Sequence, residues 1–410
     1  MQHLIIKAIT LFLIVLLCFE TDAACRDSYM TFCDDLSDLD NYNIEDWREL
    51  VVGKESGDES QLRTIQFGSF PLNKMERLVT LIIIRQIKEI KMFTFTLNRF
   101  YHRLNYLELF GNDIKRLKFT TFDTMTLTKL SLVNNSIEHV QKGVFYNCHI
   151  KTIDLSHNKL EMIEKDVFTE KNLYNSTKEL IIRHNQIESI ESGCFPSSLE
   201  ILNLDHNNIN VLNAPLFENL DNLRELTLSH NNLKSIGFTI ILTKLKWLDV
   251  SRNKIVVVYS QHLNNLTNLE VLDLGHNQIA SPQVFQRFNF PQGTVQISLA
   301  FNKLTHLVIE ENNFRDHIVF LYGNPWNCKC WQMLEQFMLD NKVKRNACDL
   351  KFFGNGEIPY CLEYDQSDCR SGNFVKNSNI SQYDIQNFIN VVKGSLDKVK
   401  CRLAPRLWQT

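Results

Sequence analysis

From residue 78 to residue 324 the apolar positions keep one cadence, LxxLxLxxNxLxxL, returning every 22 to 27 residues. Its asparagines fall at Asn112, Asn135, Asn158, Asn185, Asn207, Asn231, Asn253, Asn277, Asn302 and Asn324. Leu104, Leu107, Leu109, Asn112, Ile114 and Leu117 make one full copy, and Leu223, Leu226, Leu228, Asn231, Leu233 and Ile236 another. Residues 78–90 (LVTLIIIRQIKEI) read as a degenerate first copy, with Arg85 or Gln86 standing where Asn belongs. A fixed period in this range is the mark of stacked units, each too small to bury its own apolar face.

Each residue type has a mechanical task. The LxL segment is a short strand; alternation sends both leucines inward and the x residues to the outer, concave face. The chain then turns away and leaves backbone amide and carbonyl groups inside the coil. Each would cost about 1–3 kcal/mol if left unpaired. Asn carries both donors and acceptors and tolerates turn conformations, so a column of Asn can satisfy those groups from repeat to repeat. About ten residues further on, Phe122, Phe145, Phe168, Phe195 and Phe217 form a second column, read as the plug of the convex side. The predicted fold class is α/β: a horseshoe-shaped leucine-rich-repeat solenoid with a concave parallel sheet. The expected organisation is a signal peptide over 1–23, an N-terminal cap over 24–77 and repeats over 78–324. A Cys-rich C-terminal cap over 325–369 and an amphipathic helical segment over 370–410 follow.

The ends of the chain set the expected compartment. Lys7 precedes a run from Ala8 to Phe19 that is apolar apart from Thr10, and Thr21-Asp22-Ala23 supplies small residues for cleavage after Ala23. That run is too short to cross a ~30 Å hydrocarbon core, and no later stretch is long enough, so no membrane span is expected. Beyond Cys18, eight cysteines cluster towards the two ends: Cys25, Cys33, Cys328, Cys330, Cys348, Cys361, Cys369 and Cys401. They read as disulfide-closed caps of a secreted, extracellular protein, with the pairing open. Cys328-x-Cys330 is one residue tighter than a zinc knuckle. Cys148 and Cys194 lie two repeats apart, near 10 Å at a strand spacing of ~4.8 Å, and are expected to be free buried thiols. A formal net charge of −3 gives no electrostatic reason to expect nucleic acid.

The repeats closed by NPWNCKCW resemble those of secreted animal leucine-rich-repeat proteins. A narrower resemblance is to the leucine-rich immune molecules of mosquitoes. It rests on the Cys25-x7-Cys33 opening, the WNC at 326–328, the NAC ending at Cys348, a cysteine at 361 and Cys401 closing an amphipathic helix. The resemblance implies a body-fluid protein that pairs with relatives and holds thioester-containing, complement-like proteins in defence. Long members of that family continue into a coiled coil. No three heptads occur here, and Cys361 and Cys369 are not adjacent, so the match is to a coil-less type and dimerisation stays open.

The concave x positions are the expected binding surface, because strands hold side chains in a rigid array. The residues singled out are Glu108, Phe110, Asp154, Arg183, Asp205, Asp249, Asp273, Phe320 and Tyr322: acidic and small in the middle, aromatic at the ends. Exposed aromatics would be anchor candidates, while Asp-x-Ser could equally be the repeat's preferred filler. His157, His184, His206, His230 and His276 share the position before Asn, as a pH-sensing stripe or a routine turn residue. The sequons at Asn134, Asn175, Asn265 and Asn379 are glycosylation candidates; Asn175 and Asn265 fall in convex segments, and a sugar on Asn134 would shield part of the binding face. In residues 381–401, Ile385, Phe388, Ile389, Val392, Leu396 and Val399 share one helical face, as a partner-binding helix or one packed on the cap. No hydrolase elbow, zinc-protease or phosphate-loop motif occurs, so neither catalysis, metal nor cofactor is expected. The expected function is extracellular protein recognition. Adhesion in development or the nervous system, receptor antagonism and direct binding of microbial surface ligands are the alternatives on the same scaffold.

Overall fold

The computed structural model describes residues 25–26, 31–33, 48–53, 63–65, 77–84, 87–91, 95–96, 103–280, 295–308, 317–341, 343–345, 361–363, 369 and 388. The expected signal peptide, Cys348, Cys401, Asn379 and all of the C-terminal helical segment but Phe388 lie outside these. Phe388 itself is buried and joins the core.

The repeats build one sheet of fifteen strands among the described residues, in sequence order from Cys25–Arg26 to Lys344–Arg345. After the antiparallel pairing of Cys25–Arg26 with Thr31–Cys33, which sets Cys25 opposite Cys33, every pairing is parallel. Glu49–Val52 already pairs with Thr80–Ile84, so the sheet runs on N-terminal to residue 78. Along the middle of the sheet the register repeats without a slip: Leu180, Leu202, Leu226, Leu248 and Leu272 align strand to strand. These leucines are fully buried and form the inner wall of the core. A one-residue slip would turn every one of them outward, which is why the pattern fixes the register so firmly.

The Asn column closes the turn after each strand. Asn158 Nδ2 donates to the carbonyls of Leu132 (2.9 Å) in the previous repeat and Leu155 (3.0 Å) in its own, while its Oδ1 accepts from Ile137 N (2.9 Å). Asn231 repeats this with Leu204, Leu228 and Ile209, and Asn324 with Leu299, Leu321 and Leu304. All ten ladder asparagines are buried. On the convex side Phe122 stacks on Phe145 at 5.9 Å and Phe145 on Phe168 at 5.7 Å, with Phe217 on Phe238 at 5.3 Å further along. The connections there are short: four-residue helices at Glu170–Leu173 and Ser260–Leu263 and 3-10 turns at Ala214–Phe217 and Gly237–Ile241.

The C-terminal end is closed by the helix Cys328–Asp340, whose start is capped by Asn327 Oδ1 accepting from Cys330 N (3.1 Å). Cys328 is bonded to Cys361 and Cys330 to Cys369. Trp326, fully buried, donates its indole N–H to Leu321 O and packs 5.4 Å from Trp331. Cys148 and Cys194 are free and buried; Cys148 Sγ donates to Phe122 O (2.7 Å).

Candidate functional site

The outward positions form parallel columns set by the register. Glu108, Ser131 and Asp154 begin one column, which continues through Ile181, Asn203, Thr227, Asp249, Asp273 and Ser298 to Phe320. Phe110, Arg183 and Asp205 lie in the column two residues on. Its side chains at Ser156, Asp205, Ser229 and Ser251 are sunk among their neighbours, while Arg183 and Phe110 stand exposed.

The acidic residues first serve the backbone. Asp154 Oδ1 accepts from Ser156 N (3.0 Å), Asp249 Oδ1 from Ser251 N (2.9 Å) and Asp273 Oδ1 from Gly275 N (2.8 Å). Asn203 Oδ1 does the same for Asp205 N (3.0 Å). A residue with a short carbonyl or carboxylate side chain thus satisfies the amide two residues on, where the strand ends, which gives the Asp-x-Ser filler reading its physical basis. A Cβ at Gly275 would lie 2.9 Å from Asp273 Oδ1 and 3.0 Å from Ser298 Oγ, so those side chains would have to give way.

Two of these carboxylates carry a large electrostatic penalty. Burial, then the facing Asp273, then Asp205 push Asp249 up to about 7. Asp273 is raised as well, by burial first. Glu108 is raised by burial, with a further push from Asp154. Burial disfavours the charged form of a carboxylate, and a like charge facing it disfavours that form further.

The residue before each ladder Asn proved to be the conformational key. Asn134, His157, His184, His206, His230, Arg252, His276 and Phe301 all have φ between +54° and +58°. The sequence reading gave that turn tolerance to the ladder Asn; the structure gives it to the preceding residue, which must adopt the left-handed region. Asn and His are the non-glycine residues that do so more readily than most. Their amides extend the sheet ladder by one residue, as in His157 N to Arg183 O (3.0 Å) and His206 N to Ser229 O (2.8 Å). Strand spacing therefore stacks the rings: His157 on His184 at 4.2 Å, His184 on His206 at 4.1 Å and His206 on His230 at 3.8 Å. Arg252 interrupts the row, and His276 stacks on Phe301 at 4.3 Å beyond it. Burial is the first cause lowering the pKa of His184, His206 and His230, the last to about 4.

One expectation is overturned. Phe320 and Tyr322 are buried, not exposed. Phe320 ends the strand Ile318–Phe320, which Lys344–Arg345 pairs alongside, and Phe301 meets Tyr322 edge-on at 5.3 Å. They are core of the C-terminal end. Of the aromatic ends of the concave face, Phe110 remains at the surface, with Tyr106 beside it on the same strand. Of the sequons, Asn134 is exposed at the head of the histidine row; Asn175 and Asn265 are exposed on the convex side.

The leucine rich repeat family model matches residues 125–172, 175–233 and 242–289. No curated protein matches the chain. Among solved structures, the leucine-rich repeat domain of APL1B is similar at a TM-score of 0.50 and 18% identity, over 78% of this chain and 85% of that one. TLR13, in a complex with the single-stranded RNA ssRNA13, is similar at a TM-score of 0.51 and 18% identity, over 77% of this chain. The match spans about half of the TLR13 chain, 52%. At these identities the likeness is one of fold, and the fold is that of a leucine-rich-repeat solenoid with a parallel concave sheet.

Proposed function

We propose that this is a secreted, protein-binding solenoid of humoral innate immunity that holds extracellular protein partners, thioester-containing complement-like proteins or other leucine-rich-repeat proteins, on its concave face. The observation that carries the binding reading is the concave sheet itself, a rigid array that holds Arg183 and Phe110 exposed beside half-buried carboxylates. Disulfides at the C-terminal end support an oxidising compartment. No helix among the described residues is long and apolar enough to cross a membrane. The immune assignment rests on the resemblance of the Cys-x7-Cys opening and the WNC and NAC cap motifs. An acidic concave centre argues against a phosphate backbone as the ligand, although a chain of similar fold is seen with RNA.

Affinity capture of the tagged protein from its source animal's body fluid tests the proposal, with the eluate run with and without reductant and identified by mass spectrometry. Thioester proteins or leucine-rich relatives in the eluate support it. Cell-surface receptors alone would transfer the reading to adhesion or antagonism. Binding to washed microbes without plasma would transfer it to direct recognition.

A further inference from the structure

The densest unsatisfied chemistry on the concave face surrounds Asp249. Asp249 and Asp273 face each other across adjacent strands, and Thr227 flanks Asp249 on the other side. Thr227 alternates with the core leucines Leu226 and Leu228, so its side chain stands on the concave side, yet it is fully buried there. Its Oγ1 has no hydrogen-bond partner. Trp247 shares the outward side of Asp249's strand, and its indole N–H is likewise buried without a partner. Among the described residues no lysine or arginine makes a salt bridge with Asp249 or Asp273; Arg252, on the histidine edge, lowers the Asp273 pKa only from a distance. Asp249 accepts hydrogen bonds from Ser251, and Asp273 from Gly275 and Ser298, but neither carboxylate has a salt bridge among the described residues. Buried polar groups are nearly always paired in native folds, so two orphans beside two such carboxylates mark a place completed by something else.

We infer that the Asp249–Asp273 pair, with Thr227 and Trp247, is the subsite that receives a cationic side chain, an arginine guanidinium or lysine ammonium, from a protein partner. The inference rests on the concave face being the binding face. A guanidinium presents several N–H donors in one plane and suits paired carboxylates, the Thr227 hydroxyl adds a further acceptor, and the indole N–H is left for a carbonyl of the partner. A divalent metal fits less well. Among the described residues no three His, Cys, Asp or Glu side chains come together as a metal would need. Burial first, and then the facing Asp273, raise the Asp249 pKa; a bound cation offsets the like-charge part of that cost.

The test uses the full secreted protein at pH 8, a blocked peptide of four Arg-Gly repeats and its citrulline counterpart, isosteric but uncharged. The wild type should bind the arginine peptide at least about tenfold more tightly than the citrulline peptide. Asp249→Asn and Asp273→Asn keep the Oδ1 that serves Ser251 and Gly275, and should bring that ratio close to one. Asp154→Asn, with the same local hydrogen bond but away from the pair, should leave it unchanged. Thr227→Val should reduce the ratio severalfold without lowering thermal stability, since it removes an unpartnered hydroxyl. Equal or undetectable binding of both peptides by the wild type overturns the inference, as does a preference that survives in Asp249→Asn. A partner recovered from body fluid without any arginine preference would sink this subsite alone; the preference without a partner would sink the immune reading alone.

Discussion

The imidazole of His206 lies 3.8 Å over that of His230, their planes 17° apart, as the tightest step of a four-ring stack. In the fold His184, His206 and His230 bind protons more weakly than the unfolded chain, chiefly because they are partly buried. Acidification through 6.5 therefore protonates the unfolded chain first, and the contribution of these groups, full above 6.5, is lost towards the folded value of about 4 for His230. Replacing all three with Asn, which tolerates the left-handed backbone, should shrink the fall in Tm between pH 7.5 and 5.5 by a few degrees. An identical fall in both proteins would show that the row has no such role.

Asp249 and Asp273 act in the opposite sense. Both pKa values are raised in the fold, that of Asp249 to about 7, so the charge penalty is full above the folded values and is relieved as the pH falls towards the unfolded value of 3.8. Asp249→Asn should stabilise the free protein at pH 8 by about 1–2 kcal/mol, with the gain shrinking by pH 5. Urea titrations at the two pH values check this; a loss of stability at pH 8 would mean the carboxylate is already compensated.

In the core Asn207 donates to Ile182 O (3.0 Å) and Leu204 O (3.0 Å) and accepts from Ile187 N (3.1 Å). Asn207→Ala strands all three in the core and should cost about 2–4 kcal/mol, against a near-neutral effect for the neighbouring exposed Asn208→Ala. Chemical denaturation of the two variants reads the difference.

Phe145 is held between Phe122 and Phe168, and truncation to Ala should cost about 3–5 kcal/mol. Phe195, with 7% of its surface exposed, should cost less. Equal losses at the two positions would mean that the stack adds nothing beyond burial.

Cys148 and Cys194 should be invisible to thiol reagents in the native state. Burial pushes Cys148 up to about 12 and raises Cys194 as well, so neither is a thiolate at pH 8. Iodoacetamide labelling without reductant should modify both only after unfolding; rapid native labelling would show that the convex layer opens.

The repeat frame was legible because ladder Asn, core Leu and convex Phe each answer a requirement that recurs at every turn. What stayed hidden depends on neighbours the periodicity does not encode. Phe320 and Tyr322 are buried near the end of the repeats, where the sheet continues into a further strand at Lys344–Arg345 that lacks the motif. The histidine row was visible, but its cause, a left-handed residue before each Asn, was not, nor was the break at Arg252 in the ring stacking. In the acidic strip, Asp154 and Asp249 read alike as Asp-x-Ser. The repeat spacing already set Asp249 beside Asp273 and Asp154 beside Ser131 and Ile181, and the register agrees; the burial that raises the Asp249 pKa was not legible.

The most direct measurement is affinity capture repeated with two surface variants. Phe110→Asp combined with Arg183→Glu alters the concave face at exposed positions, and Tyr259→Ser alters the exposed convex side. The partners recovered by the wild type should be lost with the concave variant and kept with the convex one. Partners kept by the concave variant and lost with Tyr259→Ser would contradict this and move the binding surface to the other side of the solenoid.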